Sequence, residues 1–184
     1  FSDNTDRCEK EILYRVQKAY SIANEKILEH VSLHPGHRGM GCTAELLAFF
    51  EKGFILGHIG DSRTYRLRGG QLEQLTLDHT LVQQQFQEGL ITSDQAKNHP
   101  MRNVIYRAVG VKEEPTVDLL VGKICPEDMF LLCSDGLKDM IQDDQIQDIL
   151  CRDIDLNQKA ESLIESAKIA GGADNITVVL VTIT

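Results

Sequence analysis

The sequence has no apolar run approaching the roughly 18 residues that a membrane span requires. It also lacks the basic excess that would attract nucleic acid or anionic lipid. Its 19 Lys and Arg stand against 28 Asp and Glu, a formal net charge of −9. These absences exclude nucleic-acid binding and membrane insertion as first readings. The five cysteines, Cys8, Cys42, Cys125, Cys133 and Cys151, are odd in number and include no Cys-x-x-Cys pair, which speaks against a disulfide framework and a zinc site. Four of them fall in apolar or helical patterns, where a thiol packs as a small buried hydrophobe. A reduced, cytoplasmic protein is expected. Internal repeats, Ser/Pro linkers and breaks in composition are absent. So are an initiator Met, a basic leader and an apolar leader: the chain opens Phe1-Ser2-Asp3, as expected of a processed product or a piece of something longer.

What is present is globular. The 184 residues, 42% hydrophobic and 26% charged, suit a single compact domain spanning residues 1–184. Ile12, Val16, Tyr20, Ala23, Ile27 and Val31 form a 3.6-period stripe, predicting a helix over residues 5–31 that ends at His34-Pro35-Gly36. Strand character follows at 43–50, 54–59, 64–67 and 71–75, with turn signals Glu51-Lys52-Gly53 and Arg68-Gly69-Gly70, so an antiparallel meander is expected. Residues 78–99 read as a polar surface excursion of low local stability, with short helices at 80–87 and 93–98. Strands at 116–121 and 129–133 are followed by helices at 137–141, 144–151 and 156–170. A β-branched final strand at 176–183 is expected to be central in its sheet.

Three acidic motifs stand at element boundaries: Gly60-Asp61-Ser62-Arg63, Ser134-Asp135-Gly136-Leu137-Lys138-Asp139 and Gly171-Gly172-Ala173-Asp174-Asn175. Each places an Asp where a strand meets solvent, with glycine beside it to admit close approach. Asp135 and Asp139 are four apart, so a helical turn sets both carboxylates on one face, where they repel unless a cation lies between. Hard oxygen donors favour Mg²⁺ or Mn²⁺. Each motif also has a purely local reading: a turn for the first, a helix N-cap for the second, a helix C-cap for the third.

In this order, the motifs resemble the metal-dependent serine/threonine protein phosphatases of type 2C, in their bacterial form. The resemblance runs from about Gly39 to the C-terminus. It includes Gly41-Cys42-Thr43, His58-Ile59-Gly60-Asp61-Ser62-Arg63, Leu77-Asp78-His79-Thr80 and His99-Pro100-Met101-Arg102-Asn103. Arg107-Ala108-Val109-Gly110, Ser134-Asp135-Gly136-Leu137 with Asp139, and Asp174-Asn175-Ile176-Thr177 complete it. It implies an α+β fold, an antiparallel β-sandwich flanked by helices, with a flap-like insertion at 78–99. It implies that Asp135 and Asp174 are ligands of a two-metal Mn²⁺ or Mg²⁺ centre. Asp61, Asp135 and Asp139 match the ligands of a third, weaker ion, and Asn175 and Gly136 support the site. The implied function is hydrolysis of phosphoserine and phosphothreonine in proteins, opposing a Ser/Thr kinase.

The family's amino-terminal strands, with the Asp that bridges the two metals, are not found in these residues. The expectation is therefore an impaired centre and exposed sheet edges. Cys42 stands where the family favours Thr. Lys138 is expected to be solvated, and Arg102 and Arg107 to make surface or structural ion pairs. His58, His79 and His99 are tempting proton donors, but none is nominated; His58 reads as a satisfied core or rim histidine. Two other readings compete: a catalytically inactive phosphoprotein-binding or regulatory module, and a phospho-accepting receiver domain. The hairpin-rich stretch 43–75 contradicts the parallel sheet that a receiver needs.

Overall fold

A computed structural model describes the chain except Phe1 and Asn98, and gives the side chains of all described residues except 2–7, 93 and 97. The fold is α+β, built of antiparallel sheets flanked by helices. Its contacts divide it into two compact units, residues 1–61 with 78–123, and residues 62–77 with 124–184. Among the described residues no helix is long and apolar enough to cross a membrane.

The first unit holds α1 (Ser2–Leu33) and a three-stranded sheet of β1 (Ala44–Phe50), β2 (Gly53–Ile59) and β5 (Asp118–Lys123), with β2 central. Each residue of β2 is buried, as a central strand covered on both faces requires. The α1 stripe packs here: Val16 and Tyr20 are each 3% exposed, and Ile12 and Ile27 join the same cluster. One stripe residue does not follow the pattern. Ala23 is exposed and Asn24 is buried instead. Its side chain accepts from Gly110 N–H at 2.7 Å and donates to the carbonyls of Lys112 and Glu113 at 2.9 and 3.1 Å, satisfying the buried Gly110 amide that an alanine would leave unmet.

The second unit holds a four-stranded sheet in the order β4 (Gln71–Gln74), β3 (Arg63–Arg68), β6 (Met129–Cys133), β7 (Val178–Thr182). Three helices, α4 (Asp135–Lys138), α5 (Asp143–Leu150) and α6 (Leu156–Ile169), supply the apolar cluster against it, with Tyr65, Leu131, Leu137, Ile146 and Leu163 fully buried. The first unit also holds a 3-10 turn at Pro35–His37 and two short helices, α2 (Leu81–Gln87) and α3 (Ser93–Lys97); the last expected residue of α3, Asn98, lies outside the described residues.

Several expectations need correction. The chain makes no continuous meander: β1 pairs with β2 and β3 with β4, but β2 and β3 take β5 and β6 as their other neighbours. The polypeptide leaves one sheet and enters the other at Gly60-Asp61-Ser62. The β-branched β7 is an edge strand, with Val179 50% exposed, because among the described residues β6 is its sole ladder partner. Four of the five cysteines are exposed and only Cys133 is buried, since the others sit on helix α1, in loops or at a helix end. The stretch 78–99 is not wholly superficial: Asp78, His79, Thr80 and Val82 are buried, and Thr80 caps α2 by accepting from Gln83 N–H at 3.1 Å.

One ion pair anchors the second unit. Arg68 grips Asp128 with Nε and Nη2, both at 2.7 Å, and Asp128 also accepts from Cys125 N–H at 2.8 Å. The Asp128 side chain is 0% exposed and Arg68 is 38% exposed. The Arg68 hydrogen bond holds the Asp128 carboxyl below its ordinary range against the opposing effect of burial. Removing Arg68 strands a buried charge, which costs about 3–5 kcal/mol in a dry site. Solvent access to this arginine lowers that to about 2–3 kcal/mol for Arg68→Ala. Urea unfolding of the variant beside the parent chain checks this; a loss below 0.5 kcal/mol, the usual size of a surface effect, contradicts it.

Candidate functional site

In the second unit the acidic motifs meet because of strand register. β6 and β7 run antiparallel with Cys133 opposite Val178, so the end of β6 lies beside the start of β7. Ser134 follows β6 directly. Its N–H donates to Thr177 O at 3.1 Å, its hydroxyl donates to Asn175 O at 3.0 Å, and the same oxygen accepts from Thr177 N–H at 3.0 Å. Ser134 occupies the N-cap position of α4, yet its hydroxyl caps nothing in that helix. The local N-cap reading therefore fails for this side chain, which ties two loops together instead.

Gly136 brings the loops closer still. A Cβ at this position would overlap the carbonyl oxygen of Asn175 and stand 2.9 Å from its carbonyl carbon, so only glycine allows the approach. Asp135 and Asp174 are thus carried on loops in direct contact. One oxygen of each is used locally: Asp135 Oδ1 accepts from Gly136 N–H at 2.9 Å and Asp174 Oδ1 from Asn175 N–H at 2.7 Å. Upstream of Asp174, helix α6 ends with the Gly171 and Gly172 amides returned to the carbonyls of Lys168 and Ala167, both at 3.1 Å. The C-cap reading holds for the two glycines and leaves Asp174 beyond it.

Asp139 lies one turn on from Asp135, its N–H donating to Asp135 O at 2.9 Å. Lys138 is not solvated as expected. Its side chain is 7% exposed and its Nζ lies 3.1 Å from Asp139 Oδ1, a pairing that keeps a mostly buried ammonium compensated. Lys138 neutralises part of the Asp139 charge. Asp135 and Asp174 pair with no cation among the described residues.

Asp61 belongs to the first unit, at the end of β2, and is 8% exposed. Beside it is a polar cluster that the sequence reading missed. His58 lies opposite Glu45 in the β1–β2 ladder and shares a short hydrogen bond with it. His79 Nδ1 accepts from Gly60 N–H at 3.1 Å, and His79 Nε2 lies 3.0 Å from Asp118 Oδ2. Arg107 donates to Asp118 Oδ1 at 2.8 Å, an ion pair of the structural kind expected for that arginine. Burial lowers the His79 pKa, only partly offset by the Asp118 hydrogen bond. Burial opposes ionisation of Asp118, but His79 and Arg107 more than offset it and hold the carboxyl below its ordinary range. Residues 58, 79, 107 and 118 are far apart in the sequence, so only the fold could reveal the cluster. His99, by contrast, is satisfied locally, accepting from Met101 N–H at 3.2 Å.

Among the described residues no three His, Cys, Asp or Glu side chains already converge as a bound ion needs. The histidines His30, His34 and His37 gather at the end of α1, but their rings stack, with centroids 4.3–5.7 Å apart, rather than aim at one point. Asp135 and Asp174 fit a hard divalent cation in donor chemistry and in being carried on touching loops.

No family model matches the sequence. Known proteins do. Protein phosphatase PhpP of Streptococcus pneumoniae is 42% identical over 160 residues, 87% of this chain and 65% of that protein. Serine/threonine phosphatase stp of Listeria welshimeri is 37% identical over 172 residues, 94% of this chain and 68% of that protein. The chain belongs to the PP2C-type serine/threonine protein phosphatases. Among solved members of the family, the Streptococcus agalactiae serine/threonine phosphatase superposes with a TM-score of 0.90 at 34% identity, covering 95% of this chain and 72% of that one. The catalytic domain of the phosphatase PstP, solved with two manganese ions, gives 0.83 at 37% identity, covering 94% and 72%. The chain spans about 65% of the length of the pneumococcal relatives.

Two outcomes follow from this geometry. Gly136→Ala must push the Asn175 carbonyl away and should cost about 1–3 kcal/mol, as overpacking does, measured by thermal unfolding; an unchanged melting temperature contradicts the loop contact. The second concerns pH. Because His79 titrates lower in the folded chain than in the unfolded one, the unfolded chain takes up a proton first as pH falls. Stability is therefore whole above the ordinary imidazole value of about 6.5 and declines as pH drops through it towards the folded value. Asp118 adds a further decline at carboxylate pH. The urea midpoint should fall between pH 7.5 and pH 5.5 in the parent chain and fall less in His79→Asn; equal slopes contradict the assignment.

Proposed function

We propose that this chain carries the metal-dependent hydrolysis of phosphoserine and phosphothreonine in proteins, opposing a Ser/Thr kinase in the cytoplasm. The observation supporting this most directly is the lock between Ser134, Gly136 and Asn175, which brings the loops that carry Asp135 and Asp174 into contact. In this reading Asp135 and Asp174 hold two Mn²⁺ or Mg²⁺ ions, and Asp61 and Asp139 are further, weaker ligands. The relative PstP, solved with two manganese ions, supports the choice of cation. When bound, such ions supply hydroxide near neutral pH and positive charge to stabilise phosphoryl oxygens.

The chain's own residues fix the geometry. Asp135 presents its second oxygen from the first turn of α4, while Gly136 N–H immobilises the first. Asp174 is held in the same way by Asn175 N–H. Lys138 draws on Asp139 and keeps that carboxylate a weaker ligand than the other two. No cysteine or serine nucleophile is required, which leaves Cys133 to pack in the core and Ser134 to join the loops.

Within these 184 residues the bridging carboxylate of the family is not found, so by themselves they form an incomplete centre with weak metal binding and low activity. That no three ligands converge among the described residues favours a second reading, a phosphoprotein-binding or regulatory module without catalysis. Phosphate release from a phosphothreonine peptide, with and without Mn²⁺, separates the two. The leading reading predicts release that a chelator abolishes and that Asp135→Asn lowers by more than about a hundredfold, since a direct ligand outweighs an outer partner. Peptide binding with no release, in this chain and in a form extended at its amino terminus, selects the module.

A further inference from the structure

The Gly60 peptide is held at both ends by one residue. Its N–H donates to His79 Nδ1 at 3.1 Å, and its carbonyl accepts from His79 N–H at 2.8 Å. Gly60 has φ +116°, a conformation that disfavours a side chain, and a Cβ here would overlap Thr43. Gly60 is also the residue before Asp61, so its conformation sets the direction in which Asp61 leaves β2.

The His79 ring can serve in this way in one tautomer only. Accepting at Nδ1 requires the proton on Nε2. Nε2 lies 3.0 Å from Asp118 Oδ2 and 3.1 Å from Arg107 Nη1. A guanidinium cannot accept, so the Nε2 proton goes to Asp118, and Arg107 donates instead to the other Asp118 oxygen. The residue is held from several sides: the His58 ring lies tilted against its ring with centroids 4.5 Å apart, the Tyr106 ring lies at 5.9 Å, Tyr106 N–H donates to His79 O at 2.9 Å, and His79 is 2% exposed. A carboxylate that orients an imidazole, which in turn fixes another group, is how proteins give a side chain a single position.

We propose that His79 is a positioning residue for Asp61, acting through the Gly60 peptide, with Asp118 and Arg107 fixing the tautomer that makes this possible. The proposal rests on the reading of Asp61 as a metal ligand. His79 does not touch substrate in this role; it holds the turn from which Asp61 projects.

Two isosteres separate the two ring nitrogens. His79→Asn keeps an acceptor close to Nδ1, whereas His79→Gln keeps a polar group only near Nε2. The measurements are the exchange rate of the Gly60 amide by NMR and the Mn²⁺ concentration at half-saturation by electron paramagnetic resonance, on the whole chain, with spectral dispersion checking the fold. Asp61→Asn serves as the reference for loss of the ligand. The expected result is fast Gly60 exchange and about a tenfold higher Mn²⁺ requirement in His79→Gln, with His79→Asn staying close to the parent chain in both. Unchanged Gly60 exchange in His79→Gln overturns the proposal. So does fast exchange with unchanged Mn²⁺ binding in a protein where Asp61→Asn weakens it. If Asp61→Asn leaves Mn²⁺ binding unchanged, the proposal falls because Asp61 is no ligand, and the exchange data show separately whether His79 holds the turn.

Discussion

The hydroxyl of Ser134 takes part in two hydrogen bonds at once, giving one to Asn175 and receiving one from Thr177. That small junction lies where β6 ends and β7 begins. It converts a strand register into a chemical arrangement: antiparallel pairing brings two loops to the same end of the sheet, and the hydroxyl with the bare Cα of Gly136 closes the remaining gap. Asp135 and Asp174 are thereby carried on touching loops, and among the described residues neither pairs with a cationic side chain.

The two units use the same device in different forms. In the second, backbone amides of Gly136 and Asn175 immobilise one oxygen of each carboxylate and leave the other for a ligand. In the first, the rigid element is the Gly60 turn, held by an imidazole whose tautomer a carboxylate and an arginine determine. In the second unit the carboxylate oxygens themselves are held, whereas in the first only the backbone that leads to Asp61 is held. The deeper scaffolding is separate. Tyr65, buried in the second unit, donates to Asp143 at 3.0 Å, and Arg68 grips Asp128 away from the acidic loops.

Much of this was legible in the residues. Local period and punctuation located the elements: the amphipathic stripe of α1, the turn signals Glu51-Lys52-Gly53 and Arg68-Gly69-Gly70, and Asp-plus-Gly at strand ends. Ordered motifs, not any one of them, pointed to the family. Pairing between distant segments was not legible. Nothing local distinguishes a hairpin between β2 and β3 from a departure into a second sheet, and the β-branched run of β7 reads alike at an edge or a centre. Side-chain fates governed by tertiary surroundings were also missed: Lys138 turned to Asp139, Asn24 replaced Ala23 on the buried face, and four cysteines stayed exposed. The His79 cluster was unreadable for the same reason, since Asp118 and Arg107 reach it only through folding.

Asp135 and Asp174 are proposed to form one cation-binding edge because Ser134 and Gly136 lock their loops. The most direct test adds substoichiometric Mn²⁺ to the isotopically labelled chain and follows paramagnetic broadening of each amide. The amides of Gly136 and Asn175 should broaden together and before the rest, and Asp135→Asn should abolish the effect at both. Broadening centred on His30, His34 and His37 with Gly136 and Asn175 untouched, or broadening of one acidic loop without the other, would contradict it.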